Sequence, residues 1–551
     1  MDGGRSETGE VGTPRRPPAP VRAPHAERSG EEPAPSPRGG LVLDDGWTPP
    51  HRRRTRKTAH ILADGLRRQI LSGELEVGRR LPAEAELTAT LEVSRDTLRE
   101  ALRILESQSL IEIRRGRGGG AVVRRPGLGS VGRYVALLLQ VRRATLADLE
   151  EARLVIEPPA AAQFARGCDE KRLDHLIALH DAERAAAKDA LSFATAVAIF
   201  DQAVTELSGN TSVGVIAGVL RHIYAGQVYA AVDTTDRKSA ERFARRVVIA
   251  HNGFLEAARR RDGALAEEAW SDYLESASRL MVSRSLSRRP IDVVPMWKAE
   301  VDQAGSGTPR RVATAVATEI RSRIADGRLS DGERLPPLAD LTREFGLSLP
   351  TLREALRILE MELLLDLRPG DRGGATVRHP SAKVAAQLAG TVFEARGTTL
   401  TDFSRAVRMI EPAVMELTAS RIDAGRLDEL RVLEAEVAAS VDDTPRFMRV
   451  FRNAVMVAFA GTRNPALAVV AQMLQWVKVG IGPAVTVGAT SLPWVSTTNR
   501  GAHAKFAALV EALADHDAAR AGRTWAECLD ASAPFFDTSD LGRRLVVDLI
   551  E

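Results

Sequence analysis

The chain has 551 residues, of which 44% are hydrophobic, 27% charged and 4% aromatic, and its formal net charge is +3. This length predicts several domains, and the composition predicts a globular protein whose cores are mainly aliphatic. The small net charge means that any nucleic-acid surface must be local, and no apolar run approaches the ~18 residues that cross a bilayer. The N-terminus lacks the apolar core of a signal peptide, and Cys168 and Cys528 lack metal-type spacing. We therefore expect a cytoplasmic protein with no membrane partner.

Residues 1–54 are rich in Pro, Gly, Ser, Arg and Glu and carry almost no aliphatic periodicity. Such a segment cannot bury enough apolar surface to offset its ordering entropy, so we expect it to be disordered. The basic cluster "HRRRTRK" at residues 51–57 is either a solvated charge run or a flexible arm that touches DNA phosphates.

Residues 55–125 carry the pattern of three helices followed by two short strands. Gly73 is a suitable stop for the first helix, Pro82 opens a short second helix, and Ser94 is a favourable N-cap for the third. The segment "IEIRRGRGGGAVV" predicts two strands around a basic glycine turn. Together these elements predict a winged helix-turn-helix domain.

The decapeptide "TLREALRILE" occurs at residues 97–106 and again at 351–360, within a longer repeat offset by 254 to 255 residues. The chain therefore reads as a tandem duplication and is predicted to be mainly α-helical. It comprises two winged helix-turn-helix domains, each followed by an all-helical bundle. The predicted boundaries are a winged helix at 55–125, a bundle at 126–287, a linker at 288–307, a second winged helix at 308–379 and a second bundle at 380–545.

The segment "LRRQILSGELEVGRRLPAEAELTATLEVSRDTLREALRILESQSLIEIRRGRGGGAVV" resembles the DNA-binding domain of GntR-family regulators. The bundles, with "EARLVIEPPAA" and "AHNGFLEAARRRDGALAEEAW", resemble the FadR-type ligand-sensing domain (FCD) of that family. Regulators of this family are homodimers whose two winged helices bind a palindromic operator. The resemblance thus implies that one chain encodes both halves of such a dimer, as a pseudo-dimer, with further self-association left open.

The third helix of a helix-turn-helix enters the major groove with its N-terminal residues near the base edges. Its apolar stripe is expected to pack inside, and its opposite face carries arginines that can bind guanine and phosphate. These arginines could instead be merely solvated or paired with Glu100 and Glu106. The predicted DNA contacts are Ser94, Arg95, Thr97, Arg99 and Arg103 on this helix, Arg114, Arg115, Arg117 and Gly118 on the wing, and Ser348, Thr351 and Arg353 in the second half.

The second winged helix departs from the family pattern and is expected to be a degenerate reader of DNA. Leu349 and Pro350 follow Ser348, so the arginine that opens the first recognition helix is missing. Ala85 and Ala339 replace the arginine that the family usually carries in its second helix. Residues 54–125 contain 15 basic and 10 acidic side chains, whereas residues 308–379 contain 12 and 11.

FCD domains are helical bundles around a cavity for a small organic acid, and many hold a divalent metal through one aspartate and three histidines. The resemblance maps these metal positions onto Val197, Asp201, His251 and Tyr273 in the first half, and onto Met448, Arg452, Phe506 and Cys528 in the second. Most of these side chains are poor ligands for transition metals. We therefore expect no metal and no cofactor, with Asp201 and His251 as a weak remnant of the site.

Arg153 and Arg408 stand shortly before the "IEP" tripeptide of each half, on a helix that the resemblance places against the cavity. Each could hold an effector carboxylate bidentately, or could form an ion pair within the protein, with Glu150, Glu157 or Glu411 as the acid. The predicted effector-binding residues are Arg153, Asp201, His251 and Arg408.

The sequence predicts a sequence-specific DNA-binding regulator, expected to be a repressor, whose partners are a double-stranded operator and a small carboxylate-like effector. The sequence contains no nucleophile elbow, P-loop or HExxH motif, and no G-x-G-x-x-G within a predicted βαβ unit, so we do not expect an enzyme. The alternative is an interaction protein whose bundles serve assembly after DNA binding has decayed. The retained "SRDTLRE" of the first half argues against that alternative.

Arg99→Ala and Arg353→Ala should weaken binding to one operator unequally, the first by about 1 to 3 kcal/mol and the second by less. The reason is that the first winged helix keeps the more positive surface, and phosphate neutralisation drives most of the affinity. Titrations at several salt concentrations measure both the affinity and the salt slope. Equal losses from the two changes would mean that the two winged helices are equivalent readers.

Overall fold

The computed structural model describes a mainly α-helical protein with two small β-hairpins, as predicted. Among the residues described, no helix is long and apolar enough to cross a membrane. The N-terminal segment that we expect to be disordered, residues 1–54, lies outside the described part. The described residues are 55–108, 110–114, 120–231, 237–281, 284–294, 296, 309–367, 374–486 and 493–531.

The first winged helix has the predicted order of elements. Its hairpin pairs antiparallel, with Ile111 opposite Val123, and Arg80 adds an isolated bridge to Val122. Its elements are α1 (Thr55–Leu71), α2 (Glu84–Thr90), α3 (Arg95–Ser107), β1 (Ile111–Arg114) and β2 (Gly120–Val123).

The first bundle is entirely helical in the residues described. Its long helix α5 begins with a capping box, in which Thr145 and Asp148 each accept a hydrogen bond from the other's backbone N–H. The helices are α4 (Leu128–Val141), α5 (Leu146–Arg166), α6 (Glu170–Ala186), α7 (Ala190–Glu206), α8 (Thr211–Ala231), α9 (Arg237–Arg259), α10 (Gly263–Met281) and the short α11 (Arg284–Ser287).

The second half repeats this order, and most of its helices begin 254 residues after their counterparts. Its winged helix contains α12 (Pro309–Ala325), α13 (Leu338–Phe345), α14 (Leu349–Met361), β3 (Leu365–Leu367) and β4 (Ala375–Val377). Its bundle contains α15 (Ala382–Ala395), α16 (Leu400–Arg421), α17 (Ala424–Ala438), α18 (Thr444–Ala460), α19 (Pro465–Thr486), α20 (Pro493–Ala514) and α21 (Ala518–Asp530).

Residues 288–307 are predicted to be a linker, but the beginning of this segment packs against the first half. Ile291 and Val293 are each 1% exposed, and the Ile291 N–H donates to the Ala144 carbonyl at 2.8 Å. The prediction is wrong there because two aliphatic side chains bury themselves despite their polar, proline-rich neighbours. Residues 297–308 lie outside the described part.

Four apolar helices form the centre of the contact between the two halves, α4 and α8 from the first half and α15 and α19 from the second, and the long helices α5 and α16 also cross the junction. A small cavity of about 20 Å³ remains among them. Side chains from both halves line it, so the packing is shared and belongs to neither half alone. The lining includes Val135, Val219, Phe393, Val470 and Leu474.

The two winged helices are attached to the bundles in different ways. The core of the second winged helix, including Ala313 and Leu352, is continuous with the apolar core shared by both bundles. The first winged helix contacts the second half through polar groups. Arg67 on α1 forms an ion pair with Glu394 on α15, and Arg125 donates to the Ala395 carbonyl at 3.1 Å. The first winged helix therefore docks on the bundle of the opposite half.

Phe393→Ala should reduce the free energy of unfolding by about 3 to 5 kcal/mol, because it opens a cavity at the contact between the halves. Phe393 is 1% exposed and lines the cavity beside Val135. The control is Leu191→Ala, whose side chain is 77% exposed, with an expected change of about 0.5 kcal/mol or less. Denaturant unfolding measures both, and similar small losses would contradict the packing described here.

Candidate DNA-reading surface and sensing centre

The recognition helix α3 is set in place by its N-cap and its apolar stripe. Ser94 Oγ accepts a hydrogen bond from the Thr97 backbone N–H at 3.1 Å and lies 2.8 Å from Thr97 Oγ1. Leu98, Ala101 and Leu105 are fully buried, as predicted. Thr97 is itself buried, so this side chain supports the helix start, whereas Ser94 is exposed.

The opposite face of α3 presents Arg95, Arg99 and Arg103 to solvent. Arg99 Nε lies 2.7 Å from Glu84 Oε1 on α2, and Arg103 Nη1 lies 3.3 Å from a carboxylate oxygen of Glu100. Exposed ion pairs of this kind contribute about 1 kcal/mol or less. DNA phosphates can therefore replace these acids at small cost, so the pairs do not exclude a reading role.

The second recognition helix, α14, has the same length as α3 but a different first turn. The Ser348 side chain caps no backbone N–H and instead lies 2.9 Å from Thr351 Oγ1. Pro350 is accommodated in the first turn, as predicted, because N–H groups there lack helical partners. Leu349 is 37% exposed, and Arg353 is exposed one turn later. An apolar side chain thus stands where α3 presents Arg95.

The two recognition helices lie against each other. Glu360 on α14 is close to Arg103 and Glu100 on α3, and partial burial is the main cause that raises the pKa of Glu360. This contact holds the two helices side by side.

The wing is described only at its base. Arg114 is the last residue of β1 and pairs with Gly120 at the start of β2. The turn between them, with the predicted DNA contacts Arg115, Arg117 and Gly118, lies outside the described residues. These contacts remain predictions.

Inside the first bundle, Arg153 is 8% exposed and is bound by acids of the protein itself. Its Nε donates to Glu157 Oε1 at 2.7 Å, and its Nη2 lies 3.7 Å from Asp201 Oδ2. Glu157 is fully buried, lies 3.1 Å from Arg221 Nη1 and accepts from the Trp270 indole N–H. Burial alone would raise the pKa of Glu157, but the two guanidinium groups lower it. The internal ion pair with Glu157 is therefore formed.

His251 lies between two carboxylates in the same centre. Its Nδ1 is 2.9 Å from Glu183 Oε2, its Nε2 is 3.4 Å from Asp201 Oδ1, and its ring stacks on Phe200. Burial would lower its pKa, but the hydrogen bonds and charges of Asp201 and Glu183 raise the pKa to about 9. Tyr273 donates its hydroxyl to Asp201 at 2.9 Å. Asp201, His251 and Tyr273 thus come together as the resemblance implied.

Sequence analysis missed two residues of this centre, His180 and Glu183 on α6. Their three-residue spacing on one helix face is the signal that could have found them. Together with His251 they offer two imidazoles and a carboxylate, all buried, which is a donor set that could hold a transition metal. The charges already balance without an ion when His251 is an imidazolium, since Arg153, Arg221 and His251 face Glu157, Asp201 and Glu183.

Beside Arg153 lies an open pocket of about 190 Å³. The Arg153 guanidinium stacks on Tyr224, 4.6 Å from the ring centre, at its inner wall. Arg279 and Glu275, which pair with each other, stand at another wall. The lining residues are Glu150, Arg153, Leu154, Tyr224, Leu274, Glu275, Ser278 and Arg279.

In the second bundle, Arg408 does not occupy the place of Arg153, and the prediction that it faces the cavity is wrong. Glu157 and Glu411 are 254 residues apart, but Arg153 and Arg408 are 255 apart, which rotates Arg408 by about 100° around the helix. Arg408 lies 3.6 Å from Asp530 near the surface. Buried Val407 takes the inner position.

The buried acid of the second bundle has a different cation. Glu411 accepts from Lys478 Nζ at 2.8 Å, from Gln475 and from the Trp525 indole N–H. Lys478 lies 254 residues after Tyr224, whereas the first-bundle cations Arg153 and Arg221 have the uncharged counterparts Val407 and Gln475.

The metal positions that the resemblance mapped onto α18 are out of register. Met448 is 42% exposed, and the counterpart of Asp201 at the helical offset of 254 is buried Val455. Phe451, Phe506 and Trp525 pack together in this interior. Burial raises the pKa of the Cys528 thiol to about 11. The second centre is thus largely apolar and aromatic around Glu411 and Lys478.

The chain matches two family models, each of them twice. The model "Bacterial regulatory proteins, gntR family" matches residues 58–120 and 312–376, and the FCD domain model matches residues 148–276 and 402–531. The chain belongs to the GntR family. The tandem order of winged helix and FCD domain agrees with the duplication read from the sequence, and the GntR relatives are transcriptional regulators, not enzymes.

Curated relatives match parts of this GntR chain. The HTH-type transcriptional regulator Rv0494 of Mycobacterium tuberculosis is 30% identical over 196 residues, which are 34% of this chain and 76% of that protein. The HTH-type transcriptional repressor NanR of Cronobacter sakazakii is 26% identical over 28% of this chain and 60% of its own length. The Glc operon transcriptional activator of Escherichia coli is 33% identical over 19% of this chain and 41% of its own length.

Among solved structures, Streptococcus agalactiae GntR matches with 24% sequence identity and a TM-score of 0.30. The match covers 40% of this chain and 99% of that one.

Between pH 6.5 and 9, the free energy of unfolding of this GntR chain should fall by an amount on the order of 3 kcal/mol. Folding raises the pKa of His251 from its ordinary value of about 6.5 to about 9, so its imidazolium stabilises the fold below pH 6.5 and that stabilisation is lost as the pH rises through 9. Denaturant unfolding at several pH values measures the slope.

His251→Phe, which installs the residue of the second bundle, should flatten this slope. The control His175→Asn, at an exposed position, should leave the slope unchanged. An unaltered slope in His251→Phe would show that another group titrates there.

Proposed function

We propose that this chain is a sequence-specific transcriptional repressor that acts in the cytoplasm as a single-chain pseudo-dimer on an operator with two unequal half-sites. The observation that carries the proposal is the exposed arginine row of α3 on a buried, N-capped recognition helix. This is the surface that a winged helix presents to base edges and phosphates. Ser94, Arg95, Arg99 and Arg103 are the proposed contacts of the described part, with the wing residues Arg114, Arg115, Arg117 and Gly118 beside them.

The second winged helix has a smaller share in reading. Ser348, Thr351 and Arg353 can bind phosphate or a base edge, but Leu349 can offer only apolar contact, for example to a thymine methyl group. Its core is continuous with the core of the bundles, so it also supports α3 from the side. Two unequal readers held in one chain favour an operator whose halves differ.

The proposed effector is a small carboxylate that enters the pocket beside Arg153. The outer side of this guanidinium and the neighbouring Arg279 supply positive charge, and Tyr224 supplies an aromatic wall. An effector carboxylate would compete with Glu157 for Arg153. Because Arg153 also pairs with Asp201, and Asp201 with His251, this competition would alter the ion pairs of both residues. In this proposal the response runs through the ion-pair network and uses no metal.

The bound chain would repress transcription by occupying the promoter. The effector would relieve repression by changing the orientation of the winged helices relative to the bundles. The relatives include one protein named as a repressor and one named as an activator. The direction of regulation is therefore part of the proposal and is tested with a reporter gene.

Footprinting on the promoter beside the chain's own gene should reveal a protected two-part site. Arg95→Ala should weaken binding to it by about 1 to 3 kcal/mol and relax sequence preference at one base pair. The matched control is Arg184→Ala, an exposed arginine on α6, which should bind like the wild type.

Light scattering of the complex with the minimal site should give one chain per DNA. Two chains on the minimal site would contradict the single-chain form. A chain that shifts no promoter DNA would favour the interaction protein, and induction of a reporter would contradict repression.

A further inference from the structure

The contact between the two halves includes polar pairs that are not repeated on the other side. Arg67 Nε lies 2.9 Å from Glu394 Oε2, and the Glu394 side chain is completely buried. The counterparts 254 residues away are Arg321 and Gln140. Arg321 instead pairs with Glu362 in its own winged helix, at 2.6 Å. The same ion pair is therefore not present twice.

A second pair joins the long helices α5 and α16. Arg421 Nη1 donates to Glu151 Oε2 at 2.8 Å, and Asn464 Nδ2 donates to the same oxygen at 2.8 Å. The Arg421 pair is the main cause that lowers the pKa of Glu151. The counterparts of these two charged residues are Arg405 and Gly167. An arginine and a glycine cannot form an ion pair, so this contact is also one-sided.

A third contact caps a helix across the junction. Asp402 of the second half accepts from the backbone N–H groups of Thr211 and Ser212, at 2.8 and 2.9 Å, where α8 begins. A carboxylate at a helix N-terminus is favourable because it satisfies N–H groups that have no helical partner. On the other side the counterpart of Thr211 is Pro465, which has no N–H to donate. Asp148, the counterpart of Asp402, serves its own capping box with Thr145.

We propose that this junction is heterotypic: the surface of each half fits the other, non-identical half and not a copy of itself. Two second halves would place Arg405 against Arg421 twice and would leave Asp402 without two of its three donors, the Thr211 N–H and the Ser212 hydroxyl, whose counterparts are Pro465 and Ala466. Two first halves would place Gly167 opposite Glu151, and Gln140 opposite Arg67. Like charges and lost hydrogen bonds disfavour both equal pairings, while the apolar helices alone would allow them.

The partner that this surface selects is therefore the complementary half, supplied within the same chain. This inference rests on the proposed pairing of the halves in one molecule and adds what makes the pairing selective. Divergence of the two repeats has replaced a self-complementary interface with a complementary pair of surfaces.

The test uses the full chain and installs residues from the opposite repeat, with unfolding measured by denaturant in the absence of DNA. Glu151→Arg should lower the equilibrium constant for folding at least about fivefold. Glu256→Arg, which also sets an arginine beside Arg260 but on the free surface of α9, should change it less than about twofold. The charge swap Glu151→Arg with Arg421→Glu should recover most of the loss.

A second pair of variants tests the cap that Asp402 forms on α8. These variants keep the inference testable if Glu151→Arg does not fold. Thr211→Pro copies Pro465 and removes one donor to Asp402, while proline at the first position of a helix is otherwise tolerated. It should lower the folding constant about fivefold, whereas Ala190→Pro, at the first position of α7, should change it less than about twofold. Equal effects of each variant and its control, or no recovery in the charge swap, would overturn the inference.

The mass of the wild-type chain distinguishes this inference from the proposed function. Light scattering that gives two chains per particle would contradict the single-chain pseudo-dimer, but halves exchanged between two chains would keep the heterotypic contacts. The substitution series decides the selectivity of the junction independently of DNA binding.

Discussion

The apolar contact among α4, α8, α15 and α19 is the interaction on which the rest of the structure depends. Of these helices, α4 and α15 follow the two winged helices in the chain, and all four join the two halves, so one core fixes both relations. The second winged helix shares that core, while the first is held against the opposite bundle by Arg67 and Glu394. The first winged helix is thus attached through a buried ion pair, whereas the second is attached through continuous aliphatic packing.

Each bundle buries one glutamate of the "IEP" tripeptide and neutralises it differently. In the first bundle Arg153 and Arg221 bind Glu157, and the centre extends through Asp201 to His251. In the second bundle Lys478 binds Glu411 among aromatic side chains. A buried carboxylate needs such partners, since an unpaired charge would cost several kcal/mol. The same constraint has two solutions, and among the residues described a buried histidine lies beside the acids in the first centre alone.

Local patterns in the sequence predict local structure well here. The spacing of Leu98, Ala101 and Leu105 defines the buried face of α3, and the first-turn position of Pro350 makes it harmless. Long-range neighbours cannot be read in this way: Glu183 meets His251 across 68 residues, and nothing in the local pattern of either residue reveals the other. Arg408 was misassigned because a shift of one residue, invisible in an approximate repeat, turns a side chain away from the interior.

In a homodimer, every substitution appears on both sides of the symmetry axis, so a change that improves one contact is also imposed on its mate. The fused chain removes that condition. Pro465 is the counterpart of Thr211 in the second repeat, so only one of the two equivalent helix starts has lost its backbone N–H donor. Each side can therefore accumulate mutations under its own selection. Duplication followed by fusion lets the two DNA-binding domains, and the two interior centres, evolve separately. The covalent connection keeps the two halves at a ratio of one to one.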